Sequence, residues 1–356
     1  MKKQLLAAAV ASACAAPAMA QVPAEIQVYG RVNVSVEHQT IKNSPTATDN
    51  VSTNALVDNS SRIGFRGNKE LSQGLKAIWQ IESRVRLDTG GSVAGETAFL
   101  SSRDSWAGLQ GGFGTIRAGR SIGPVYYATY DYISMHNHDT GTSSDALLDG
   151  SIYGNAGFMN NLLWYTSPKL GGGFSVDVAY SFGPDGGSES RAPGLTDQPN
   201  YMGIVGAYDS GPLHVALSWA QTENTEALPS GAGNSDNAIT LGGAYNFKSF
   251  VLGALVEKSE RDNRVTSLSE DRTYWRISGM LPVGQHEFHL NYGQAGERSV
   301  DDGAKQYTVA YNYNITNTTK LYVFYTVVDN DIAGTYFTGI PGADFSSLAV
   351  GFRHNF

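Results

Sequence analysis

Ile26-Gln27-Val28-Tyr29-Gly30-Arg31-Val32-Asn33-Val34-Ser35-Val36-Glu37 alternates in character at almost every step. Ile26, Val28, Val32, Val34 and Val36 share one face, and Gln27, Arg31, Asn33, Ser35 and Glu37 share the other. Successive side chains of a β-strand point to opposite faces, so this stretch is a strand between an apolar and a polar medium. The pattern recurs. Phe174, Val176, Val178 and Tyr180 oppose Ser175, Asp177 and Ser181. Leu213, Val215, Leu217 and Trp219 oppose His214, Ala216 and Ser218, and Tyr307, Val309, Tyr311 and Tyr313 oppose Gln306, Thr308 and Asn312. A soluble sandwich also alternates. The aromatic residues that recur at the ends of these apolar faces separate the two cases, because aromatic girdles mark the two lipid–water interfaces of a membrane barrel.

The connections fit that reading. Gly111-Gly112-Phe113-Gly114, Asp209-Ser210-Gly211-Pro212, Asn246-Phe247-Lys248-Ser249 and Pro282-Val283-Gly284-Gln285 are tight links, and they alternate with much longer polar ones. Outer-membrane barrels have short periplasmic turns and long outer loops. Segments near 26–37, 59–68, 75–86, 98–110, 113–120, 161–168, 172–182 and 200–209 are predicted strands. So are those near 212–222, 237–246, 249–260, 271–282, 285–297, 304–313, 318–328 and 345–356. The expectation is an all-β, 16-stranded antiparallel transmembrane barrel with both termini on the periplasmic side. A barrel of that size has room for a water-filled lumen, and the polar inward residues suit water.

Residues 1–20 have the form of a cleaved signal peptide. Lys2-Lys3 is the charged start, Leu5 to Ala16 the short apolar core, and Ala18-Met19-Ala20 the cleavage site. The rival reading, a lipoprotein cut before Cys14, lacks the leucine expected three residues earlier. Residues 21–356 then form the barrel as one domain. Cys14, the only cysteine, leaves with the leader. That excludes disulfides, zinc–thiolate sites and cysteine catalysis in the mature chain. The formal charge of −8 becomes more negative without Lys2 and Lys3, a poor balance for nucleic-acid binding. No mature segment approaches a spanning helix, while 19 Tyr, 14 Phe and 41 Gly are too many for an ordinary soluble helical domain.

The longest connection, from about Ser121 to Asn160, opens with Tyr126, Tyr127, Tyr130 and Tyr132 and carries Asp131, Asp139, Asp145 and Asp149. Its aromatic content argues against disorder. Such a loop can fold into the lumen and narrow it; an outer surface loop is the plainer alternative. Arginines cluster on the flanking strands: Arg62, Arg66, Arg84, Arg86, Arg103, Arg117 and Arg120, with Arg31 earlier. An arginine facing lipid at mid-strand costs about 2–4 kcal/mol, so the lumen is their expected side. Arg120 falls near a strand end.

Three motifs carry a family resemblance. Ser61-Arg62-Ile63-Gly64-Phe65-Arg66-Gly67 followed by Glu70-Leu71 and Gly74-Leu75-Lys76-Ala77 resembles the second and third strands of general diffusion porins. Gly108 to Arg120 is similar to their fourth-to-fifth strand hairpin, and Val350-Gly351-Phe352-Arg353-His354-Asn355-Phe356 to their closing strand. The subgroup most resembled is the trimeric porins of β-proteobacteria and Neisseria. The resemblance implies a third loop folded into the barrel and an electrostatic constriction. By motif, Arg62 and Arg103 fall on wall arginines, Glu82 on a wall acid and Asp131 on a loop acid, while a third basic position is Phe158 here. Arg31, Arg66, Arg84, Arg86, Arg117 and Arg120 are further candidate lumen charges.

The resemblance also implies a homotrimer in outer-membrane lipid and lipopolysaccharide, assembled through machinery that reads the terminal Phe356. It implies passive diffusion of ions and small hydrophilic solutes, without cofactor, metal or nucleic acid. Two other readings stay open: a solute-specific channel of the same fold, and a barrel enzyme. The enzyme reading lacks a G-x-S-x-G elbow. His136, His138 and Asp139 form an H-x-H-D cluster that could ligate a transition metal, or stand as ordinary loop residues.

Overall fold

The structure is a computed structural model that describes residues 25–43, 50–90, 100–134, 147–148, 157–183, 197–263, 265–298 and 300–356. The leader, the H-x-H-D cluster, Asp145 and Asp149 lie outside the described residues. The described chain forms one antiparallel sheet closed on itself. It starts with β1 (Glu25–Lys42), β2 (Val51–Asp58), β3 (Arg62–Ser72), β4 (Leu75–Arg84), β5 (Ser105–Gly111), β6 (Gly114–Ser121), β7 (Met159–Thr166), β8 (Phe174–Ser181) and β9 (Asn200–Ser210). It continues with β10 (Leu213–Ala227), β11 (Gly233–Asn246), β12 (Val251–Asp262), β13 (Ser269–Val283), β14 (His286–Ala295), β15 (Ala304–Thr316), β16 (Thr319–Asn330) and β17 (Asp344–Asn355). β2 and β3 both pair with β1, every later strand pairs with its sequence neighbours, and β1 closes the ring against β17 from Arg31↔Asn355 to Lys42↔Asp344.

β2 and β3 are two halves of one wall strand, which makes this a 16-stranded barrel. The break lies at Asn59-Ser60-Ser61. Register against β1 runs Val34↔Asp58 on one side of it and Arg31↔Arg62 on the other, a slip of one residue. Ser60 takes a left-handed φ of 60°, and the Ser61 hydroxyl accepts the Asn33 backbone N–H at 2.9 Å in place of a ladder carbonyl. A bulge of this kind re-aims side chains. The wall strand therefore begins at Val51, well before the segment near 59–68 that periodicity suggests, because alternation is interrupted where the bulge sits.

The face assignment follows exposure. Ile26, Val36, Leu217, Val309, Leu348 and Val350 are all exposed on the outer wall, the side that lipid covers. Their polar neighbours Asn33, Ser35, Ser218, Thr308 and Asn312 are buried on the inner side. Aromatic rings cluster at the turn end of the outer wall. Phe174 lies 4.6 Å from Tyr208, and Phe247 lies 4.5 Å from both Tyr245 and Phe250. No helix among the described residues is long and apolar enough to cross a membrane; the strands do the crossing.

Between β6 and β7 the third loop turns into the barrel as two short helices, α1 (Pro124–Ala128) and α2 (Tyr130–Ile133). Pro124 at the start of α1 supplies the fixed φ that a first helical turn needs. Val125, Tyr126, Tyr130 and Ile133 are buried against the inner wall of β8 to β12. Small residues there make the space: Ala207, Ala216 and Ala238 belong to the same core, and a Cβ at Gly242 would stand 3.3 Å from Thr129 Cβ.

The seam depends on another glycine. A Cβ at Gly30 would lie 2.4 Å from the Phe356 ring and 2.6 Å from the Arg62 carbonyl oxygen. The bare Gly30 backbone instead exchanges two hydrogen bonds with Phe356, at 3.0 and 3.1 Å. Gly30→Val should therefore destabilise the closed barrel by about 1–3 kcal/mol, the range for overpacking. A lower urea midpoint for unfolding in detergent is the expected result; an unchanged midpoint would show that the seam tolerates a side chain.

Candidate pore constriction

A cavity of about 740 Å³ lies between the inner wall of β1, β3 to β7 and β17 and the inward loop. Six arginines line it: Arg31, Arg62, Arg84, Arg103, Arg117 and Arg353. Three carboxylates line it too: Glu82, Asp104 and Asp131. Arg62, Glu82, Arg103 and Asp131, matched by motif from sequence, thus meet at one place, with Arg31, Arg84 and Arg117 beside them.

Glu82 is almost fully buried. Arg103 Nε reaches its Oε1 at 2.6 Å, Arg62 Nε stands 4.0 Å from Oε2, and the Tyr29 hydroxyl donates to Oε2 at 3.0 Å. Cations and a hydrogen-bond donor here take the place of the water that a buried carboxyl gives up. The local backbone explains how Arg103 arrives there. β5 starts at Ser105, not near residue 98. Over 101–104 serine hydroxyls take the place of ladder groups: Ser83 Oγ accepts the Ser101 N–H and Ser102 Oγ the Arg84 N–H. Side-chain hydroxyls competing with the ladder in this way loosen a strand. The loosened chain turns Arg103 and Asp104 toward the lumen.

Asp104 ties the loop to the wall. It accepts the Ser121 hydroxyl at 2.5 Å and the Tyr127 hydroxyl at 2.7 Å. Burial pushes its carboxyl above the usual range, although both hydrogen bonds pull the other way. The Tyr127 phenol is held well above its ordinary value, by burial first and by the Asp104 charge second. The Arg117 guanidinium lies over the Trp164 ring, 3.6 Å from its centre, with the Trp106 ring centre at 5.2 Å and a hydrogen bond to Thr166. Planar guanidinium groups suit such stacking. Phe158, at the position where the family pattern is basic, lies under the guanidinium groups of both Arg103 and Arg120.

Three of the sequence candidates sit elsewhere. Arg120 bonds Ser102 O and Asn160 Oδ1 and is not on the cavity lining. Arg66 faces a separate cavity of about 790 Å³ with Lys76 and Gln27, to which its Nε bonds at 2.8 Å. Arg86 follows the end of β4, where its carbonyl closes a turn with Gly90, and it does not line the constriction. The alternation that placed Arg86 with Glu82 and Arg84 stops applying where the strand stops. Conversely, Asp104, Tyr29 and Arg353 were not singled out from sequence. Arg353 was findable, because Phe352 and His354 flank it on the outer face. Asp104 was not, because only the unravelled stretch before β5 turns it inward.

Residues 7–333 match the Gram-negative porin family. The chain belongs to it. The chain is 29% identical, over the full length of both, to "Outer membrane porin protein 32" of Delftia acidovorans. It is 28% identical to "Major outer membrane protein P.IB" of Neisseria lactamica, over 80% of this chain and 93% of that one. Among solved structures, the "Anion-selective porin from Comamonas acidovorans" superposes with a TM-score of 0.78 at 27% identity, covering 94% of this chain and 100% of that one. The protein is an outer-membrane porin, a water-filled channel for passive diffusion. Its homologues are porins, which are channels.

The Asp104 contacts predict a stability effect. Asp104→Ala leaves the Ser121 and Tyr127 hydroxyls without their acceptor, at a cost of about 1–3 kcal/mol. Equilibrium unfolding in detergent measures it, and Asp104→Asn, which keeps an acceptor oxygen, should recover part of the loss.

Proposed function

We propose that the cavity between the arginine wall and the inward loop is the pore's narrowest section, and that it favours anions. The observation that carries this is the imbalance of charge on its lining: six arginines against three carboxylates, one of which, Glu82, is already held by Arg103. Arg31, Arg62 and Arg84 stand directly opposite one another on β1, β3 and β4. Like charges in such cross-strand positions destabilise a sheet, so the wall bears a cost for them that structure alone does not call for. Asp131 faces the arginines from the loop side, and the two signs set a transverse field across the bore. Charged rings select permeant ions by sign while diameter limits size. No side chain changes covalent state in this mechanism, and the protein catalyses nothing. The anion selectivity stated for the Comamonas porin supports the same sign here.

We further propose export by a leader cleaved after Ala20 and assembly as a homotrimer. β5 to β8 contain only 7 or 8 residues each, fewer than the roughly nine to eleven that cross a bilayer. Neighbouring barrels would shield that low wall from lipid. Chemical cross-linking that traps monomers alone would reject the trimer.

Planar-bilayer recording under a salt gradient tests the channel reading. Stepwise conductance with a reversal potential on the anion side is expected. Arg103→Glu should move that potential toward cations, since it replaces a wall cation with an anion. A wild-type channel that prefers cations, or an Arg103 variant with an unmoved potential, would remove the basis for the assignment.

A further inference from the structure

We propose that His214 is the positioning residue that clasps the inward loop to the barrel wall and so holds the bore at one width. This rests on the loop narrowing the pore, as proposed above. His214 belongs to β10 and points inward, almost fully buried. Its Nε2 lies 2.8 Å from the carbonyl oxygen of Ala128, the last residue of α1. Carbonyls in the last turn of a helix have no partner within it, and an outside donor there fixes the helix end. The other ring nitrogen, Nδ1, lies 2.5 Å from Asp209 Oδ1. Both ring nitrogens therefore face an oxygen, and the Asp209 carboxylate fixes the orientation of the ring. Tyr132 of α2 stacks face to face on the same imidazole, with ring centres 3.5 Å apart. One wall side chain thereby touches both helices of the loop.

The support behind His214 comes from the short-turn end of the barrel. Asp209 and His214 are directly paired residues on β9 and β10, flanking the tight turn Ser210-Gly211-Pro212. Asp209 is also ion-paired with Lys169, which reaches over from the turn between β7 and β8 and donates to Ser175 at 3.1 Å. The charged and titratable groups facing the imidazole are therefore Asp209 with Lys169 behind it, and Tyr132 with Asp131 beside it. The helices also pack Val125, Tyr126, Tyr130 and Ile133 against this wall, the Tyr130 hydroxyl meets Thr240 at 3.5 Å, and Thr129 packs against Gly242. Asp104 and Tyr127 secure α1 to another part of the wall, before β5. Without His214 the two helices lose a tie to this wall that both of them share. Asp131, next to Tyr132, is on the part set loose.

The test is single-channel recording of the full chain reconstituted in planar bilayers. His214→Ala should increase the population of displaced loop roughly ten-fold, as loss of a buried hydrogen bond does. The readout is raised open-channel noise with a broadened spread of conductance. His214→Gln, whose amide can still donate to Ala128 O, should be intermediate. Tyr132→Ala removes the stack and keeps both hydrogen bonds, and it should raise the noise less; it remains informative if His214→Ala does not fold. A rescue separates positioning from general damage. Thr129→Cys with Gly242→Cys places two Cβ atoms close to disulfide range in a chain whose only native cysteine is Cys14. In the His214→Ala background, oxidation should quieten the channel and reduction should restore the noise. Folded His214 and Tyr132 variants with wild-type noise and conductance, or a disulfide that fails to quieten the channel, would overturn the clasp. The reversal-potential shift of Arg103→Glu is a separate readout, so failure of the clasp and failure of the constriction are distinguishable.

Discussion

A polypeptide in hydrocarbon cannot leave backbone N–H and C=O groups unpaired, because each costs several kcal/mol. Everything else in this molecule follows from that constraint. The sheet must close, and it does so where β1 meets β17 along twelve paired residues from Arg31 to Lys42. Closure leaves no free edge in lipid, and it commits every strand to one outward and one inward face. The outer face then has to be apolar. The inner face is released from that demand and carries charge.

Where the wall departs from regular pairing, it does so in favour of the lumen. The bulge at Asn59-Ser60-Ser61 shifts register by one residue, so that Asn59 and Arg62 both face inward although strict alternation would separate them. The stretch before β5 gives up ladder bonds to serine hydroxyls and turns Arg103 and Asp104 into the bore. Irregular backbone at membrane depth is tolerated where it lines a water-filled cavity. Both irregularities adjoin the charges proposed to select ions.

The inward loop is a second, smaller packing problem inside the first. Its buried tyrosines need apolar contact, and Ala207, Ala216, Ala238 and Gly242 recess the wall to receive them. Its polar ties lie on different parts of the wall, Asp104 with Tyr127 before β5 and His214 with Ala128 O on β10. The cavity's charge is equally asymmetric, with most arginines on the wall and Asp131 on the loop.

The sequence by itself determined the closed barrel, its strand count and the side each regular strand turns to lipid. Those properties rest on local alternation and on turn length, which a strand displays wherever it sits. It also marked Arg62, Glu82, Arg103 and Asp131 through motif resemblance, and the lumen side of Arg31, Arg84 and Arg117 through the cost of charge in lipid. Tertiary structure alone decided that Arg86 leaves the wall with the end of β4, that Arg120 stays off the cavity lining, and that Asp104 and Arg353 join it. It alone brought His214 to a loop carbonyl 86 residues away in the chain. Periodicity describes which face a residue takes only while the ladder is regular. At bulges, strand ends and loop contacts the direction of a side chain is set by partners distant in sequence, and those exist only once the barrel has closed.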